Sequence, residues 1–123
     1  MITYEKLTEI TKESSEVFAG KMLHAYCDMV TLPNGKPARR EYVRHIGAVA
    51  IVPMTDEGNV VMERQFRYPV GEVVLEIPAG KLDDQEEDRL QAAKRELQEE
   101  TGILAKEWIE LGEYRPAPAY SNE

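Results

Sequence analysis

The chain has one cysteine, Cys27, and two histidines in 123 residues. A single thiol excludes an intrachain disulfide, and so few soft ligands exclude a Cys/His zinc site within one chain. Any metal would be held mostly by oxygen, which favours a hard divalent cation, magnesium or manganese. Positive charge is also short: 15 Lys and Arg stand against 23 Asp and Glu, a formal charge of −8. Nucleic acid is grasped through its phosphates mainly by Lys and Arg, so no nucleic-acid partner is expected. A small phosphate-bearing substrate stays open, because a bound cation can supply positive charge. Long apolar runs are lacking too. The longest, "GAVAIVPM", is far too short to span a bilayer, and the N-terminal "MITYEKLTEITKESSEVF" has no signal-peptide core. The expectation is a cytoplasmic protein with no membrane partner.

What is present suits one globular domain. The apolar fraction is 42% and the charged fraction 31%, in a chain long enough to bury a core. No internal repeat or low-complexity tract occurs. The first third reads as strands, with a hairpin signal at Asn34-Gly35 and with Tyr26, Asp28 and Val30 on one strand face. Ala48 to Val52 reads as a buried strand, Val60 to Phe66 as a further strand, and "GEVVLEIPAG" as a short strand ended by Pro78 and Gly80. Then the period changes. Leu90, Ala93 and Leu97 fall at i, i+3, i+7, one helix face, and Gly102 is placed to stop the helix. The spacing predicts a helix over 87–101. "WIELGEY" reads as another strand and "RPAPAYSNE" as a loop, giving an α+β fold with strands before and after one central helix.

The helix ends in "RELQEETG", where Glu96, Glu99 and Glu100 fall at i, i+3, i+4 and share a face. Neither Glu96 nor Glu100 has a basic residue three or four positions away; only Glu99 has one, Arg95. Like charges at this spacing cost about 0.2–0.5 kcal/mol per pair when exposed. In a partly buried pocket, at an effective dielectric near 20, two carboxylates some 6 Å apart repel by roughly 2–3 kcal/mol. A divalent cation would reverse that sign. Charge counting alone leaves a metal face and a solvated acidic face both open. The preceding "PAG" admits either a close backbone approach or a positive-φ turn at Gly80, which would bring main-chain carbonyls near whatever the carboxylates hold. It also admits a plain strand-to-helix turn.

Taken together, "GKLDDQEEDRLQAAKRELQEETGI", Gly80 to Ile103, resembles the signature of the Nudix hydrolases. Glu87, seven intervening residues, then Arg95, Glu96, Leu97, Gln98, Glu99, Glu100, Thr101, Gly102 and Ile103 fit the pattern. Six residues, where the family has five, separate Gly80 from Glu87; counted from Gly80, Glu86 would fill the slot. The helix register favours Glu87, because loops accept an extra residue more readily than helices. "REYVRHIGAVAIVP", "MERQFRYPVGEVVLEIPAGKLD" and "PAPAYSNE" are similar to the ADP-ribose pyrophosphatase branch.

The resemblance implies an α/β/α sandwich around a mixed sheet with a central catalytic helix. It implies metal-dependent hydrolysis of a nucleoside diphosphate linked to another group, with ADP-ribose giving AMP and ribose 5-phosphate. Carried over by position, Glu96 and Glu100 would be direct ligands of magnesium or manganese, Glu99 a ligand or a ligand through water, and the Ala79 carbonyl would complete the set. Arg95 would orient the helix face by reaching Glu87 and Glu99; Gly80, Glu87 and Gly102 would be structural. Arg67 would bind phosphate or ribose by its planar fork. Glu41, Arg44, Glu76 and Glu123 match substrate-binding or supporting positions, and Phe18 or Tyr42 could stack on adenine.

Relatives in this branch are homodimers with crossing N-terminal strands. That divides the chain into residues 1–45, a β-strand region for dimerisation, and residues 46–123, the Nudix domain, short at its C-terminus. The family has a glycine where Ala119 stands, and the general base is expected beyond Glu123. Two other readings remain open at this point. One is a different Nudix substrate, such as a nucleotide sugar or a dinucleotide; the acidic charge argues against capped RNA. The other is a catalytically incomplete chain that binds nucleotide or only dimerises.

Overall fold

The structure, a computed structural model, describes residues 3–123; the first two positions of the expected 1–45 region lie outside it. After a short 3-10 turn at Tyr4–Leu7 come β1 (Ile10–Ala19), β2 (His24–Thr31), β3 (Pro37–Arg44), β4 (Ala48–Ala50), β5 (Glu63–Arg67), β6 (Glu72–Glu76), β7 (Ala79–Lys81) and α1 (Arg89–Thr101). The class is α+β. The chain forms two compact units. One runs to His45 and includes Tyr114–Glu123; the other is Ile46–Glu113.

The first unit is an antiparallel sheet in the order β1-β2-β3. Its β2–β3 hairpin turns at Asn34-Gly35 as the sequence predicts. Gly35 takes φ 81, its N–H donates to the Leu32 carbonyl at 2.8 Å, and Asn34 Oδ1 accepts from the Lys36 N–H at 3.0 Å. Asp28 and Val30 are the buried positions of β2, on the face shared with Tyr26. Strand β1 is exposed along its length, and its pairing slips at Thr11/Glu13 and at Glu16/Phe18. The chain returns to β3 near its end. Val43 N–H donates to the Tyr120 carbonyl at 2.8 Å, and Asn122 Oδ1 accepts from the His45 N–H at 2.7 Å. The Val43–Ser121 bridge is parallel, whereas the strand ladders are all antiparallel.

The second unit holds two small antiparallel pairs, β4 with β7 and β5 with β6, and α1 packs against β4 and β7. Ile51, Pro78, Leu82, Ala92 and Leu97 form its buried centre. Complete burial of a leucine such as Leu97 contributes about 1.5–3 kcal/mol. Asp88 starts the helix: its Oδ1 accepts from the Gln91 N–H at 2.9 Å, satisfying one orphan donor of the first turn. Gly102 ends it in the left-handed region, φ 73, with its N–H on the Gln98 carbonyl.

Four expectations need correction. The helix begins at Arg89 rather than Glu87, because the Asp88 cap fixes the boundary. Its buried face is Ala92, Glu96 and Leu97, and Leu90 is 42% exposed, because Glu96 is drawn inward over β7. Ordered strand pairing begins at Glu63; Val60 makes only an isolated bridge to Met54. "WIELGEY" is not a strand: Ile109 and Leu111 are exposed and no ladder partner faces them among the described residues. Among those residues no helix is long and apolar enough to cross a membrane.

Candidate active site

One guanidinium organises the helix face. Arg95 Nε lies 3.1 Å from Glu87 Oε1 and 3.4 Å from Asp83 Oδ2, and Nη2 donates to Glu87 Oε2 at 3.2 Å. Nη1 lies 2.6 Å from Glu96 Oε1 and 3.5 Å from Glu99 Oε2, and Nη2 also donates to the Lys81 carbonyl at 3.3 Å. A planar fork with five donors is suited to holding several carboxylates at once. Glu96 therefore does have a basic partner, its own chain neighbour. Adjacent helix residues do not ordinarily face each other; here Glu87 and the Lys81 carbonyl draw the Arg95 head across.

Glu87, just before the cap, is the acid the site uses, while Glu86 is exposed. The Arg95 guanidinium, and next the Asp83 N–H, hold the Glu87 carboxyl below its ordinary pKa. Helix and β7 meet at Gly80 and Glu96. A Cβ on Gly80 would fall inside the Glu96 carboxyl group, so a close approach is what glycine serves there; its φ is not positive.

Glu100 faces the same strand, where its Oε2 accepts from the Ala79 N–H at 3.1 Å. Its pKa is raised, first by burial, then by the negative charge of Glu63, with Glu96 adding to it; the Ala79 N–H acts the other way. Glu63, whose negative charge acts on Glu100, was missed in the sequence. Period two was the available signal: Glu63, Gln65 and Arg67 alternate onto one face of β5.

On the same hairpin Arg67 is tied to Glu76, with Nε at 3.0 Å from both carboxyl oxygens and Nη2 at 2.6 Å from Oε2. Each holds the other charged: Glu76 lies below, and Arg67 above, its ordinary value. The negative charges of Glu63 and Glu100 also act on Arg67.

The remaining candidates lie in the first unit. Glu41 Oε1 is 3.7 Å from Arg39 Nε, which donates to Cys27 Sγ at 2.9 Å. Arg44 stacks on Tyr26, its guanidinium carbon 3.7 Å from the ring centroid. Tyr42 donates its hydroxyl hydrogen to Asp28, and Phe18 is 59% exposed. The Glu123 N–H donates to Ser121 Oγ at 3.0 Å.

Among the described residues no three His, Cys, Asp or Glu side chains converge into a finished cation cage. Glu96 is turned to Arg95 and Glu100 to the Ala79 amide. The donor set nevertheless fits a hard divalent cation. Glu96, Glu99 and Glu100 offer only oxygen, Gly80 keeps the space beneath Glu96 clear, and Glu100 is pushed toward its neutral form by burial and neighbouring negative charge. A cation there removes that opposition.

The NUDIX domain model matches residues 44–122. The chain is 43% identical over 119 residues to the ADP-ribose pyrophosphatase of Bacillus subtilis, covering 97% of this chain and 64% of that protein. It is 40% identical over 115 residues to the methanol dehydrogenase activator of Bacillus methanolicus, covering 94% and 62%. It is 39% identical over 120 residues to the ADP-ribose pyrophosphatase of Mycobacterium tuberculosis, covering 98% and 56%. A crystal structure of an ADP compounds hydrolase superposes with a TM-score of 0.80 at 25% identity, over 94% of this chain and 63% of that one. The chain thus spans under two thirds of the length of each of these.

Proposed function

The chain belongs to the NUDIX domain family, and from that premise we propose that it serves metal-dependent hydrolysis of a nucleoside diphosphate linked to a second group, with ADP-ribose giving AMP and ribose 5-phosphate. One observation carries the reading: the Arg95-centred set of Glu87, Glu96 and Glu99, with Glu96 seated over Gly80. The names of the two ADP-ribose pyrophosphatases and of the ADP compounds hydrolase support ADP-ribose as substrate.

Glu96 and Glu100 would hold magnesium or manganese, with Glu99 beside them and the Ala79 carbonyl as a further oxygen. When bound, the cation neutralises the diphosphate and lowers the pKa of an attacking water. Arg95, fixed by Glu87, keeps Glu96 and Glu99 in place as a supporting partner does. Arg67, with its fork oriented by Glu76, offers charge-assisted hydrogen bonds to phosphate or ribose. Arg44, Glu41 and Glu123 are assigned to substrate binding by the family positions they match. Residues 1–45 serve a homodimer and residues 46–123 the chemistry, in the cytoplasm.

The test is incubation of the 123-residue chain with magnesium or manganese and ADP-ribose, following AMP by chromatography. AMP and ribose 5-phosphate are expected in equal amounts. Glu96→Gln should lower the rate by about 100-fold or more, as loss of an electrostatic group at a reacting centre does. No AMP from the parent, or a Glu96→Gln rate equal to the parent's, overturns the reading. Parallel assays with a nucleotide sugar and a dinucleotide decide the substrate class.

A further inference from the structure

On the three-stranded sheet a buried carboxyl group stands behind an aromatic–guanidinium stack. Asp28 is only 6% exposed. Its Oδ2 accepts from the Tyr42 hydroxyl at 3.0 Å, and its Oδ1 is buried without a hydrogen-bond partner. With its one hydrogen given to Asp28, the Tyr42 oxygen presents lone pairs elsewhere. They meet Arg44, whose Nε and Nη2 donate to it at 3.3 and 3.1 Å. Nη2 also donates to Ser14 Oγ at 3.4 Å. The guanidinium lies over Tyr26, and the Tyr26 and Tyr42 rings stack 5.9 Å apart at 26°. Strand register sets Tyr26 opposite Tyr42 and Asp28 opposite Arg40, but the Arg40 head is turned to Glu9.

Stability does not account for Asp28. A carboxyl group left with one buried oxygen unpartnered costs free energy, and an apolar residue of similar size would avoid that cost. Val30, the other buried position on this face of β2, is apolar. Residues that oppose stability are retained where function needs them. Arg44 is the one member of the chain Asp28–Tyr42–Arg44 whose charge can meet a nucleotide.

We propose that Asp28 is a positioning residue: acting through Tyr42, it fixes the plane in which Arg44 is presented to the nucleotide. This rests on the reading of Arg44 as a nucleotide contact. Without the Asp28 acceptor the Tyr42 hydroxyl hydrogen turns freely, so the oxygen's lone pairs are no longer held toward Arg44, and the Tyr26 ring and Ser14 are left as its fixed partners.

The experiment pairs two readouts on the 123-residue chain. The first is the Arg44 Nε–H signal in a 15N-correlation spectrum, shifted by the Tyr26 ring when the stack is intact. The second is calorimetric titration with ADP-ribose. Asp28→Val and Tyr42→Phe should each move the Arg44 signal toward the solvent-averaged position and weaken binding roughly 3–10-fold. The double variant should weaken it no further. Asp28→Asn, whose amide oxygen can still accept from Tyr42, should restore both readouts. Tyr42→Phe removes a single hydroxyl and serves if Asp28→Val fails to fold.

An unmoved Arg44 signal in both variants, or losses that add in the double variant, overturns the proposal. Weaker binding in Arg44→Ala alongside unchanged binding in Asp28→Val and Tyr42→Phe overturns the proposal alone. Unchanged binding in Arg44→Ala, or a parent that does not bind ADP-ribose, overturns the Arg44 reading and the proposal with it.

Discussion

Gly80 and Glu96 occupy one space: the side chain that Gly80 lacks is where the Glu96 carboxyl group lies. Gly80→Ala must therefore push Glu96 off β7 while leaving an ordinary strand backbone. The expected cost is roughly 1–3 kcal/mol, as for an overpacked site. Manganese binding, followed by the loss of the free-ion electron paramagnetic resonance signal, should weaken along with hydrolysis. Unchanged metal affinity would show that Glu96 does not need that seat.

Glu100 predicts a specific pH dependence. Its pKa is raised in the folded chain by burial and by Glu63. A carboxyl that holds its proton more tightly when folded stabilises the fold below the ordinary glutamate range, about pH 4.3. That contribution is lost as pH rises through the folded value. Melting curves of Glu100→Gln and parent should therefore coincide in acid and separate toward neutrality, with the variant more stable. Saturating magnesium should narrow the gap, because a ligand of the folded state stabilises it by mass action. Parallel curves across the range would refute the assignment.

Glu87 should behave in the opposite sense. Arg95 and the Asp83 N–H lower its pKa, so its stabilising contribution is present above the ordinary glutamate range and disappears as pH falls through the folded value. Glu87→Gln should melt earlier than the parent at pH 7 and match it in strong acid. The check is the same pair of melting curves, whose difference must carry the opposite slope from that of Glu100→Gln.

Arg67 is held ready by Glu76 rather than left loose. Arg67→Ala should raise KM for ADP-ribose roughly ten- to hundredfold, the scale of lost charge-assisted hydrogen bonds. Arg67→Lys should recover only part, since an ammonium cannot reproduce the fork. Steady-state kinetics of the three proteins decides it, and an unchanged KM removes Arg67 from the substrate site.

Much of this was legible in the chain because local rules agreed with one another. Asn34-Gly35 signals a hairpin and Gly102 a helix stop, and both formed, the hairpin with positive φ at Gly35 alone. Asp88 escaped because it sits in the acidic run "DDQEEDR", where no single residue stands out as a cap. The helix face was read one step off because periodicity assigns apolar residues to the interior, whereas Gly80 admits a carboxylate there and leaves Leu90 outside. The Arg95–Glu96 pair was invisible to spacing rules that consider helix neighbours three and four apart; partners beyond the helix, Glu87 and the Lys81 carbonyl, create it. "WIELGEY" has strand-like composition, but a strand is defined by the chain beside it, and composition holds no record of that.

The two units differ in how the chain supplies them. Ile46–Glu113 is one uninterrupted run, whereas the sheet-bearing unit draws on residues before His45 and after Glu113. The His45–Asn122 bonds span 77 positions. Closing so long a loop costs more chain entropy than closing a short one, and contacts of long sequence separation slow folding. The helix with its carboxylates can assemble from nearby residues alone. The strand that ends in Arg44 receives its last ties only once the whole intervening segment has been gathered in, so the two units are set to be completed at different moments of folding.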